Sequence, residues 1–328
     1  MKTAAPTLSR RAALAVPGLL LATRAARAAT EWPERPVRVI VTYSAGGAAD
    51  TIARLLQPGM SQALGQQVVI ENRPGAGGTL GAIAAARSPA DGYVLLFDAA
   101  AHVVAPLIFR NLPVDYTTAF SYLGRATIQP YAWVVSSAFP AQTAAEFIAV
   151  ARARAQPVTY GTPGVGSSGH IAGAAFAQAA DLQLEHIPYR GGALAANDLA
   201  SGNLDAACIT LSSAQPIVEA GRARILATSG GQRSQSHPDV PTLAESGLPG
   251  FDVTSWLGLF GPAGLPPAII AKASAALTAA ASDPATQAIL AGAGFEAAPS
   301  NAADFAAQVR RDREVFGEVV RRAGISAD

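Results

Sequence analysis

Glycine and hydroxyl residues crowd the stretch GTPGVGSSGHIAG, Gly161 to Gly173, in which Gly164, Gly166 and Gly169 spell G-x-G-x-x-G. With Glu185 sixteen positions beyond, the outline is that of a dinucleotide fingerprint, whose glycines let backbone approach a pyrophosphate at a helix N-terminus. Two features oppose NAD or FAD: Glu185 falls inside a predicted strand rather than at its end, and the stretch lies in mid-chain. A tight turn without a ligand is a second reading. The third uses the same backbone physics on a smaller anion. Free N–H groups and the dipole at a helix start attract negative charge, and Thr162, Ser167 and Ser168 add hydroxyl donors.

Three more loops share this character. TYSAGGAAD (Thr42 to Asp50) supplies Tyr43, Ser44, Ala45, Gly46, Gly47 and Asp50; NRPGAGG (Asn72 to Gly78) supplies Gly75, Ala76, Gly77 and Gly78; YRGGA supplies Arg190 and Gly191. Each alone reads as a turn, since glycine is the usual turn residue. Together they are four glycine-rich βα loops, which a parallel sheet brings to one edge, the usual ligand position in open α/β sheets. A cleft lined by N–H groups and hydroxyls suits a carboxylate, and Arg190 adds charge.

Catalytic chemistry finds less support. No G-x-S-x-G surrounds Ser167 or Ser168, and His102, His170, His186 and His237 lack metal-ligand spacing. His170, in the first turn of a predicted helix, is placed to touch a ligand or a neighbouring loop. His186 in an apolar strand reads as a satisfied core or interface residue, and Cys208 as a small buried hydrophobe. No enzyme activity, metal or cofactor is expected.

The elements that position these loops follow from periodicity. Strands are predicted at 37–41, 67–71 and 93–97, with helices between them. A second unit follows, with strands at 131–136, 158–161, 184–187, 204–210 and 224–229 alternating with helices that include 144–154, 168–180 and 192–200. Three helices close the chain near 267–281, 284–291 and 302–323. Asn301 is placed to cap the last, and Glu318 and Arg322 to pair across one turn. Two α/β units joined near residues 130 and 250 predict two lobes with a cleft between them. Either lobe could supply a face for the closing helices.

The 328 residues are half hydrophobic and 14% charged, a globular composition with room for two domains. Residues 1–28 read as a secretory signal: Lys2, Arg10 and Arg11, then AALAVPGLLLA, then Ala26-Arg27-Ala28. SRRAAL within it also fits a twin-arginine signal. The leader holds five of the 24 basic residues and no acid, so the mature chain has 19 against 23 acids, a net charge of −4. That is no footprint for nucleic acid. A soluble, exported, monomeric protein is expected, in a periplasm.

WPERPVRVIVTYSAGGAADTIARLL, GQQVVIENRPGAGGTLGA, HIPYRGGALAANDLASGNLDA and DVPTLAESGLPGFDVTSWLGLFGPAG closely resemble segments of the substrate-binding proteins of tripartite tricarboxylate transporters, the Bug family of extracytoplasmic solute receptors. The match runs in order over essentially the whole mature chain. It implies a type II periplasmic-binding-protein fold, α/β and two-lobed with ligand in the cleft, with residues 29–128 plus 253–328 as lobe one and 129–252 as lobe two. It implies a receptor that hands a small carboxylate to membrane components of the transporter. By resemblance the ligand is held largely through backbone groups at Tyr43, Ala45, Gly46, Gly47, Asp50, Gly75 to Gly78, Thr162, Gly166 to Ser168 and the helix start after Arg190.

Two positions depart from the family pattern. DAAAHVV (Asp98 to Val104), around Ala100, is poorer in hydroxyls than usual, and Ile209 stands where many members carry an acid. Loss of that carboxylate argues for a ligand without an amino group, with an aromatic or otherwise apolar body. A periplasmic NAD- or flavin-binding oxidoreductase is the catalytic alternative. A receptor that presents its ligand to a sensor kinase would carry the same site.

Overall fold

The computed structural model describes residues 32–327, so the leader and its export signal lie outside the described residues. Three apolar runs, β1 (Val37–Val41), β2 (Val68–Asn72) and β3 (Val94–Ala99), alternate with two helices, α1 (Ala48–Leu64) and α2 (Thr79–Ala86). Because helices cover such a sheet, its strands read as near-continuous apolar runs. In α1 the buried Ala49, Ile52, Ala53, Leu56, Met60 and Leu64 form one stripe at helical spacing. The helix stops at Gly65, whose left-handed φ of 70° closes its last turn.

After β3 come α3 (Ala101–Ile108), the long strand β4 (Phe120–Ser136), α4 (Ala144–Ala153), β5 (Val158–Thr162), α5 (Ser168–Ala179) and β6 (Leu184–Pro188). Then follow α6 (Gly192–Ala200), β7 (Ala206–Thr210), α7 (Leu211–Glu219), β8 (Ala223–Thr228) and β9 (Thr254–Pro262). The closing elements are α8 (Pro267–Ser282), α9 (Pro284–Gly292), the short β10 (Glu296–Ala297) and α10 (Ala302–Ala323).

The strands make two sheets that share β4. In lobe one the order is β2-β1-β3-β9-β4, with β10 pairing β4 as well. In lobe two β4 lies between β7 and β8, and β5 and β6 extend the sheet beyond β7. The change falls within one peptide: Pro130 is the last β4 residue paired with β9, and Tyr131 the first paired with β7. The strand expected at 131–136 is therefore only the last part of a 17-residue element.

The chain returns beside this crossing. Ser229 Oγ accepts from the Tyr131 N–H at 2.9 Å and donates to the Val253 carbonyl at 2.6 Å. The Ser229 N–H meanwhile bonds Tyr131 O and its carbonyl receives the Val253 N–H, both at 2.8 Å. One buried serine thus ties the outgoing strand to the returning one. Replacing it by alanine strands the buried Tyr131 N–H, at about 1.5 kcal/mol. A urea unfolding midpoint unchanged in Ser229→Ala would refute that role.

Each lobe has its own aromatic anchor. In lobe two Trp133 meets Phe147, Tyr160 and Phe176 with centroids 5.2, 5.6 and 4.6 Å away. In lobe one Phe305 of α10 packs edge-on to Trp256 at 5.0 Å. The closing helices divide between supports. α8 packs on α1 and β4, whereas α10 lies over β4 and α3 and also touches α5 of the other lobe. There Gln178 Nε2 donates to the Val319 carbonyl at 3.0 Å. The Asn301 cap is present, accepting from the Asp304 N–H at 2.9 Å, and Glu318 lies 3.4 Å from Arg322.

Candidate functional site: a cleft between the lobes

The glycine-rich loops converge on a cavity of about 990 Å³ between the two sheets. From lobe one, Tyr43, Ser44 and Gly47 line it, followed by Ala48 and Ala49 at the start of α1. Gly47 caps α1 without a side-chain hydrogen bond, so the first N–H groups of that helix face the cavity uncapped by any side chain.

Asp50 orders this loop from behind and does not line the cavity. Its Oδ2 accepts from the Gly46 N–H at 2.8 Å, and its Oδ1 from Asn72 Nδ2 and Arg54 Nε, each at 2.9 Å. Burial opposes its charge, but hydrogen bonds from Arg54, Gly46 and Asn72 outweigh it and hold the carboxyl below its ordinary value. An acid in the first turn that reaches back to a preceding N–H acts like half of a capping box.

The second loop brings Gly75, Gly77 and Gly78 to the cavity. Ala76 and the tip residues Ala45 and Gly46 are exposed beside it and are not lining residues. Ala100 is fully buried, and its N–H is taken by the Trp256 carbonyl at 3.1 Å; its neighbours Ala99 and Ala101 face the cavity instead.

From lobe two come Gly166, Ser167, Ser168, Arg190 and Gly191, joined by Pro163, Gly164 and Val165. Each glycine of the G-x-G-x-x-G has a conformational or packing reason. Gly164 and Gly166 adopt φ of 144° and 70°, which side chains resist. A Cβ on Gly169 would sit 2.7 Å from the Cys208 carbonyl and 2.9 Å from the Tyr131 ring, so only glycine lets α5 start this close to β7. Glu185 is exposed on the edge strand β6, away from the cavity lining.

Thr162 lies behind the loop, fully buried, with its Oγ1 2.6 Å from His186 Nε2. His186 stacks on His170 at 3.6 Å, and His170 Nδ1 accepts the Gly166 N–H at 3.2 Å. That acceptor role needs a neutral Nδ1. Burial, with the neighbouring His186, pulls His170 down to about 3, and burial pulls His186 down to about 4. Both are neutral near pH 7, and they support the loop rather than form part of the cavity wall.

Ile209 is fully buried in a core with Ala195, Leu199, Leu211 and Ala214, and it does not line the cavity. The departure from an acid at this position therefore acts beneath the lobe-two sheet, and the inference from it to a ligand's amino group loses its footing. Cys208 is buried beside it, its thiol pushed up by desolvation.

Several lining residues escape the sequence patterns. Thr42, Gln129, Tyr131 and Ser255 form part of the wall. Tyr131 belongs to the crossing strand. Its hydroxyl is raised above its ordinary value, chiefly by burial, while bonds from Ser168 and the Gly169 backbone pull the other way. Tyr43 is raised by burial and by the charge of Asp98. Both phenols stay protonated at neutral pH and can donate to an anion. Ser168 Oγ donates to Ser255 Oγ at 3.2 Å, a bond between the lobes.

A further wall is α3. Val104, Ala105 and Ile108 share one face of it, with Phe109 just beyond. Residues Ser326 and Ala327 lie beside it, where the Ala327 N–H meets the Ile108 carbonyl at 3.3 Å. Arg190 is the one charged side chain among the described lining residues. No group of three metal-ligating side chains occurs among the described residues, and none of their helices is long and apolar enough to cross a membrane.

Two α/β lobes, two neighbouring crossings and a cleft lined by helix starts define a binding protein of the two-lobed periplasmic type. Residues 52–325 match the family model described as Tripartite tricarboxylate transporter family receptor. The chain belongs to that family. It is 34% identical over 319 residues to a UPF0065 protein of Bordetella bronchiseptica, covering 97% of this chain and 94% of the relative. The periplasmic binding protein BugD superposes with a TM-score of 0.72 at 31% identity, over 90% of this chain and 99% of that one. Rpa4515 of R. palustris, solved with adipate, gives 0.75 at 30% identity, over 90% and 99%.

Proposed function

We propose that this protein is a periplasmic receptor that captures a carboxylate between its lobes and presents it to the membrane components of a tripartite tricarboxylate transporter. The observation that carries the proposal is the uncapped start of α1, which lines the same cavity as Tyr43 and the loops of both lobes. An anion there gains backbone N–H groups, a favourable helix dipole and neutral phenol donors. The relative solved with adipate binds a carboxylate on the same fold. No covalent step is involved.

Tyr43, Ser44, Gly47, Gly75, Gly77, Gly78, Gly166, Ser167, Ser168, Arg190 and Gly191 make the direct contacts. Asp50 and Thr162 hold the loops from behind. Lobe one takes residues 29–128 and 253–328 and lobe two 129–252, and they close by rotation at the Pro130–Tyr131 and Val253–Thr254 crossings. Ligand favours the closed form because only there do both lobes touch it. Residues 1–28 direct export, and the mature protein acts as a monomer.

The test is a thermal-shift screen of residues 29–328 against mono-, di- and tricarboxylates, acidic amino acids and NAD(H), with small-angle scattering on any hit. A ligand at one hundred times its dissociation constant adds about 2.7 kcal/mol to the folded state, and closure reduces the radius of gyration. A shift with NAD(H) alone would sink the receptor proposal. Binding without compaction would sink the closure.

A further inference from the structure

The cleft lining is of two chemical kinds. It includes the start of α1, Tyr43, Tyr131 and the serines of two loops. It also includes the apolar Val104, Ala105, Ile108 and Phe109 of α3, with Ser326 and Ala327 beside them, none of these six charged. Among the described lining residues there is no acid to receive an ammonium group, and the exposed Arg190 is the sole cation.

The α3 wall is also built to be approached closely. A Cβ on Gly166 would lie 2.6 Å from Ile108 Cδ1, and one on Gly77 would lie 3.2 Å from the Phe109 ring. Loops from both lobes therefore come near this apolar face with bare backbone. Val165, on the lobe-two lip of the same cavity, is 49% exposed. An apolar side chain left half in water at a cleft mouth gains by being covered. The volume of about 990 Å³ is at the top of the range for pockets that take drug-sized ligands.

We propose that the ligand of this cleft is a monocarboxylate with an uncharged apolar body, an aromatic ring or a chain of comparable size, its carboxylate at the start of α1 and its body against α3. The proposal deepens the receptor function above and rests on it. A second carboxylate set against Val104, Ala105, Ile108 and Phe109, the uncharged described residues of the α3 wall, would be desolvated there, which is costly. Among the described lining residues an α-amino group would have no acid partner. The residues that set specificity are Ile108 and the part-exposed Phe109.

Calorimetric titration of residues 29–328 with benzoate, octanoate, adipate, malate, citrate, glutamate and benzamide tests this. Benzoate or octanoate is expected to bind at least tenfold more tightly than every di- and tricarboxylate and than glutamate. Tighter binding of adipate, malate, citrate or glutamate would overturn the ligand class and leave the receptor function standing. Benzamide equalling benzoate, or silence from every acid, would overturn the receptor function as well. Phe109→Tyr keeps the ring while adding a hydroxyl at the wall. It should weaken the favoured monocarboxylate about fivefold and leave adipate unchanged; equal affinities for the monocarboxylate in both proteins would remove α3 as the recognition wall.

Discussion

Asp50→Ala is expected to lose about 3 kcal/mol of stability and at least tenfold in ligand affinity. One 3%-exposed carboxylate holds the Gly46 N–H, Arg54 and Asn72, and its removal leaves three donors without their acceptor. Hydrogen bonds to a charged group contribute about 1.5–3 kcal/mol each, and the half-exposed Arg54 and exposed Gly46 recover part of that by turning to water. Affinity falls with stability because the same carboxylate sets the backbone of Tyr43 to Gly47 at the cleft. The pH dependence has a definite sign. The folded carboxyl lies below its ordinary 3.8, so its contribution is complete above that value and disappears as pH falls through the lower folded one. Asp50→Ala should therefore cost most near neutrality and least in strong acid. Urea titrations at pH 7 and pH 3 measure this, and an equal loss at both would refute the electrostatic part.

Asp312→Asn should do the opposite and stabilise the protein at neutral pH. Asp312 on α10 accepts the Trp256 indole N–H at 2.7 Å, yet burial pushes its carboxyl up from 3.8 to about 6. The folded form thus holds a proton more firmly than the unfolded chain does. Above pH 6 both forms are ionised and the folded one bears the full penalty. As pH falls from 6 towards 3.8 the penalty is relieved, so stability rises on acidification through that window. The displacement corresponds to about 3 kcal/mol, reduced to about 2 by the partial exposure of the group. Asparagine retains an oxygen for Trp256 and carries no charge. Melting temperatures of the two proteins should differ most at pH 7.5 and converge near pH 4. A less stable variant at pH 7.5 would mean that the charge is needed where it stands.

Much of this molecule can be read from its residues because apolar periodicity and glycine placement are local signals. β1, α1, α6 and α10 lie where the patterns put them, and the Asn301 cap is where its type predicts. The longer first part of β4, FSYLGRATIQP, is not legible. Glycine, arginine, glutamine and proline break its alternation, and it is a strand because β9 pairs with it. The helix α3 is hidden by Pro106 and by its brevity.

The site divides along the same line. Glycine loops announce the polar part of the lining, since backbone that must come close to a ligand or take left-handed φ selects glycine. The α3 wall gives no such signal, because apolar residues that face a cleft look like core residues in sequence. Ile209 shows the converse error. A strand covered on both faces offers no alternation by which to tell the cleft side from the core side.

The two crossings have a mechanical consequence. A rigid body joined to another by two adjacent points keeps one easy freedom, rotation about the line through them, while twist and shear strain the joint. Here the points are the Pro130–Tyr131 step and the return at Val253, drawn together by Ser229. The proposed closure is therefore door-like, and its axis passes beside the Ser229 hydroxyl. The Gln178–Val319 bond ties α5 to α10 across the lobes. Under the proposed closure α10 would therefore act as a catch on the door.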